Sequence, residues 1–124
     1  MKNLILSIIF ILTPKILALD SAESNLLLVQ GTIIGKPELV KKALALGADV
    51  NFQDNDGDTA LITALRQIHL KQFFFMTAYK NCEEIIEILI AHGAKIRIQN
   101  NAGKTAVDYI NTPEISLLIP RSSV

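Results

Sequence analysis

The sequence predicts an all-α fold built on an internal repeat. Two observations point there: an internal repeat, and apolar stripes at helical spacing closed by glycine. Gly47-Ala48-Asp49-Val50-Asn51 aligns with Gly93-Ala94-Lys95-Ile96-Arg97 at an offset of 46 residues. The same offset pairs Glu38 with Glu84, Leu44 with Ile90, Gln53 with Gln99, Asn55 with Asn101, Gly57 with Gly103 and Thr59 with Thr105. One register holds from Glu38 to Leu61 without a gap, which chance explains poorly.

Met1-Lys2-Asn3 is a short basic start, and Leu4 to Leu12 is apolar except for Ser7. Thr13-Pro14-Lys15 breaks the run, and Ile16-Leu17-Ala18 leads into Asp20. That pattern is a secretory signal peptide over residues 1–18, with cleavage after Ala18. The apolar run is well short of the ~20 residues of a membrane-spanning helix. An uncleaved anchor is the alternative expectation. The folded domain is then residues 19–124.

The first helix is expected over Ala22–Ile34, with Gly31 a small residue where helices pack closely. Pro37 opens the second, where its missing N–H costs nothing. Leu39, Val40, Ala43 and Leu44 form its apolar stripe, and Gly47 ends it in a left-handed conformation. Val50 to Gln53 reads as extended, and Asp54-Asn55-Asp56-Gly57 as a turn with glycine at positive φ. Thr59 starts the next helix, Ala60 to at least Leu65. In the following unit Asn81 and Glu84 have the spacing of a capping box. Ile85, Ile86, Leu89 and Ile90 supply the stripe, and Gly93 stops it. Thr112-Pro113-Glu114 opens a last short helix to about Leu118.

At this point the residues resemble the ankyrin repeat family, whose unit is about 33 residues with a T-P-L-H-x-A signature. Here the signature reads Thr59-Ala60-Leu61-Ile62-Thr63-Ala64 and Thr105-Ala106-Val107-Asp108-Tyr109-Ile110, without the proline and histidine. Gly47-Ala48-Asp49-Val50-Asn51 matches the family well, and the second copy partly. The resemblance spans residues 22–118, in units of about 22–53, 54–99 and 100–118. It implies an ankyrin-repeat solenoid of about two and a half to three helix–turn–helix units that acts as a non-enzymatic protein-binding module; a membrane-tethered structural protein, or a degenerate remnant of a longer array, is the alternative. It also implies where the partner binds: Asp54, Asn55, Asp56, Asn100 and Asn101 at the loop tips, with Thr63, Arg66 and Tyr109 on the inner helices.

The offset of 46 residues is longer than the family's unit, and the excess is an insertion at 66–80, between the helices of the middle unit. It holds three of the five phenylalanines. Ala64, Leu65, Ile68, Gln72, Phe75, Met76 and Tyr79 share one helical face, so helix is expected there. The favoured reading is an added layer of core; an exposed aromatic patch for a partner is the alternative.

Composition excludes several functions. Twelve bases balance twelve acids, so nucleic acid is not the expected ligand. The single cysteine makes neither an internal disulfide nor a cysteine-based zinc site. Cys82 is expected to be structural, in the first turn of a helix. His92 sits just before the second Gly-Ala and is also read as structural. Asp54-Asn55-Asp56-Gly57-Asp58 resembles the start of a calcium loop, but Thr59 and Leu65 stand where that loop needs glycine and glutamate. No catalytic, metal or cofactor site and no small-molecule substrate is expected. The leader, with Ile-, Lys- and Asn-rich usage, points to an exported bacterial product.

Overall fold

The computed structural model describes residues 20–71, 76–110 and 112–120, and leaves aside the side chains of residues 69–71 and 76. The described residues are helical, with no strand among them. Helix α1 spans Ser21–Ile34; Asp20 caps it by accepting the Glu23 N–H at 2.8 Å. Helix α2 spans Pro37–Ala45, with proline in its first turn. Helices α3 and α4 span Ala60–Lys71 and Met76–Ala91. A 3₁₀ turn, Ala106–Tyr109, and a short helix α5, Pro113–Leu118, complete the chain's described part. Asp108 reaches back to the Thr105 N–H at 2.8 Å to start the 3₁₀ turn.

The helices form two layers. Helix α1 packs on α2, and α3 on α4. Laterally, α1 meets α3 and α3 meets the 3₁₀ turn; α2 meets α4 and α4 meets α5. The core lies between the layers: Leu28, Val40, Leu61, Ile62, Leu65, Ile68, Ile85, Ile86, Leu89 and Ile115 are all buried. Each such side chain stabilises the fold by about 1.5–3 kcal/mol. Gly31 lets α1 lie close on α2: a Cβ there would stand 2.9 Å from Leu39 Cβ. Among the described residues no helix is long and apolar enough to cross a membrane.

Three local expectations differ from the structure. Asn81 does not cap a helix; it lies inside α4, which begins at Met76, and its Nδ2 donates to Gly35 O at 3.2 Å. The inserted residues Thr77 to Lys80 contain no breaker, so the helix continues through them. Cys82 is consequently beyond the first turn of α4, and it is buried. Val50 and Asn51 are in a turn closed by Phe52 N–H to Asp49 O at 3.0 Å, rather than extended. The insertion lengthens both flanking helices, taking α3 to Lys71 and α4 back to Met76. Ile68 is buried and Tyr79 half-buried against the core. The readings of Phe73 and Phe75, of the side chains of Gln72 and Met76, and of residues 1–18 lie outside the described residues.

Candidate functional site

Two loops, Asp54–Asp58 and Asn100–Lys104, carry most of the residues expected to meet a partner. They fold alike because their sequences repeat. Asp56 and Asp58 N–H donate to Asp54 Oδ1 at 2.9 and 3.0 Å. Ala102 and Lys104 N–H donate to Asn100 Oδ1 at 3.0 and 2.9 Å. Asp54 N–H meets Asp58 O at 3.0 Å, and Asn100 N–H meets Lys104 O at 2.8 Å. Asp54 and Asn100 thus do one job, since either side chain offers the same acceptor to the turn.

The loops lie against each other. Asn101 donates from its N–H to Asp56 O and from Nδ2 to Asn55 O, both at 3.0 Å. Gln53 Nε2 bridges Gly57 O and Gln99 O, each at 2.9 Å. Gly57 has φ 76°, and a Cβ there would stand 2.7 Å from Asn101 N, so the approach requires glycine. The bases of the loops are linked in the same sense: Asn25 Oδ1 accepts the Asp49 N–H, and Asn51 Oδ1 the Lys95 N–H, both at 2.7 Å.

Asp58 joins these loops to α3. Its side chain is 1% exposed and pairs with the Arg66 guanidinium through Oδ2. Its Oδ1 accepts from Asn100 Nδ2 at 2.8 Å, and that nitrogen also lies 3.5 Å from Tyr109 Oη. Of the expected partner-binding residues, the structure therefore brings Arg66, Asn100 and Tyr109 to one network and Asp54 to the turn beneath it. Asn55, Asp56 and Asn101 are exposed at the tips, and Arg66 is exposed along about half of its side chain. Thr63 is 8% exposed. It presents little to a partner, because α1 and the 3₁₀ turn flank α3. Asp58 was absent from the expected set; its signal, an acid eight residues before a basic residue on the following helix, has no local regularity to mark it.

Asp54, Asp56 and Asp58 bring carboxylate oxygens within 4.8 Å of one another. Asp58 gives one oxygen to Arg66 and the other to Asn100, and Asp54 Oδ1 holds two backbone N–H groups. The donor set therefore fits the turn and its ion pair better than a cation cage. His92 is exposed, and its Nδ1 lies 2.8 Å from Ile88 O, at the carboxyl end of α4. The same carbonyl also accepts the His92 backbone N–H at 3.1 Å. No protein-family model matches the chain.

Proposed function

We propose that the chain is an exported, non-enzymatic protein-binding module built as an ankyrin-type repeat solenoid. What supports this reading above all is the matched pair of loops, held in one geometry and fastened to each other by Asn101 and Gln53. Helix pairs laid side by side make a rigid platform. The fastening fixes the tips, so Asn55, Asp56 and Asn101 meet a partner already ordered and lose little entropy on binding. Arg66, half-exposed beside them, adds a cation that its buried acid holds in place. In this reading the chain needs no cofactor, metal, nucleic acid or small-molecule substrate, and the partner is a protein. Residues 1–18 are its signal, removed after Ala18; the mass of the mature amino terminus, measured on protein made with the leader, checks this and separates it from a membrane-tethered product.

The binding test is affinity capture with the folded chain as bait, followed by mass spectrometry, run beside an Asn55→Lys, Asp56→Lys variant. A partner retained by the parent and lost by the variant, at equal melting temperature, supports the reading. A partner held equally by both places recognition elsewhere on the molecule.

A further inference from the structure

A second surface lies at the base of the Asn100–Lys104 loop, apart from the tips. Ile90, Gly93, Ala94, Lys95, Ile96 and Arg97 line a groove of about 390 Å³. Its floor is apolar: Ala94 and Ile96 are buried and Ile90 is half-buried. Its rim carries Lys95 and Arg97, both exposed.

The repeat makes these two cations conspicuous. At an offset of 46 residues they replace Asp49 and Asn51. Those two work within the fold: Asp49 Oδ1 accepts the Asn51 N–H at 2.9 Å, and Asn51 Oδ1 accepts the Lys95 N–H at 2.7 Å. The Lys95 and Arg97 side chains take up neither role, and no ion pair engages them among the described residues. Glu87, the nearest acid before them on α4, is exposed and forms no pair with either. His92, exposed at the end of α4, turns Nδ1 to Ile88 O and adds no acid to the rim.

We propose that this groove binds an acidic peptide segment of a partner protein, its carboxylates meeting Lys95 and Arg97 while a neighbouring apolar side chain rests against the half-buried Ile90. Charge complementarity selects this occupant: an apolar floor with two uncommitted cations favours an apolar residue flanked by acids over a basic segment. The site is distinct from the loop tips, so its failure and that of the tip surface are read from different residues.

The test is a ¹⁵N nuclear magnetic resonance titration of the folded chain with a terminally blocked peptide of alternating leucine and glutamate. The expected result is shifts centred on the amides of residues 93–97. Affinity should fall about tenfold in the Lys95→Glu, Arg97→Glu variant, and again when salt is raised to about 1 M, where screening acts beyond about 3 Å. A leucine–lysine peptide should leave those amides unmoved. Shifts confined to residues 54–58 and 100–104, or equal response to both peptides, would overturn the proposal. So would self-association abolished by the same variant, which would make a second copy the occupant. A Lys95→Gln, Arg97→Gln variant should keep the parent's melting temperature; a drop of several degrees would assign the cations to the end of α4 instead.

Discussion

Asp58 is an acid with nowhere to go but its partners. Its carboxylate is buried between Arg66 and Asn100, and removing one partner leaves an imperfectly compensated charge. Such losses cost about 3–5 kcal/mol when both partners are buried. Arg66→Met strands that buried carboxylate, whereas Asp58→Ala strands an arginine that is 47% exposed and that water can solvate. We expect Arg66→Met to cost about 2–4 kcal/mol and Asp58→Ala about 1–2 kcal/mol. Urea unfolding of the two single variants and the double variant should give a coupling of about 1 kcal/mol or more; additivity within about 0.5 kcal/mol would dissolve the pair. The same carboxylates bear on calcium. With Asp58 and Asp54 engaged, calcium should not raise the melting temperature, and a rise of several degrees abolished by Asp56→Ala would contradict that. The sequence places Asp54 and Gly57 in their turn because turn chemistry is local. It does not reveal Asp58, whose tie to Asn100 spans 42 residues of chain.

At the scale of the element, the helices were legible wherever a breaker stands at each end. Pro37 and Gly47 bound α2, and Gly93 follows α4; these signals act through a few neighbouring residues. The start of α4 was not, because Asn81 and Glu84 have the spacing of a cap while nothing upstream stops the helix. Tertiary contact then decides: the Asn81 amide serves Gly35 O, at the end of α1, instead of its own helix. The all-helical fold followed from stripes and repeat spacing, but the ankyrin character rests on resemblance and is proposed. Gly31 tests how closely α1 and α2 must approach. Alanine is the better helix former by about 1 kcal/mol. Its methyl group would lie 2.9 Å from Leu39 Cβ and 3.1 Å from Val40 N, and the latter is backbone that cannot rotate away. Overpacking of that kind costs about 1–3 kcal/mol. The clash should win, and Gly31→Ala should melt below the parent in a thermal scan followed by circular dichroism. A variant that melts higher would mean that α1 slides over α2 at little cost.

Across the whole molecule, two titrating contacts tie neighbouring helices of one layer. Lys41 on α2 meets Glu84 on α4 at 3.0 Å. That hydrogen bond, with the charges of Glu84 and then Glu38, holds the lysine above its ordinary value of 10.5. Tyr79 on α4 is raised from 10.0, first by burial, then by Glu83 one turn on and by Glu114 on α5. Both groups bind their proton more tightly in the folded chain than in the unfolded one. Linkage then makes their contribution fully present below the unfolded values, and it is lost as pH rises through the folded ones. The chemistry differs but the sign agrees: Lys41 loses the charge that Glu84 attracts, and Tyr79 gains one among carboxylates. Stability should therefore decline above about pH 10, within the range where unperturbed tyrosine and lysine titrate. Tyr79→Phe together with Lys41→Gln should make that decline shallower in melts recorded between neutral and strongly alkaline pH. The double variant should also lose some stability at neutral pH, where the exposed Lys41–Glu84 pair is intact in the parent. Parallel alkaline declines for parent and double variant would show that neither contact links protonation to folding, and that the layer is held by its apolar packing alone.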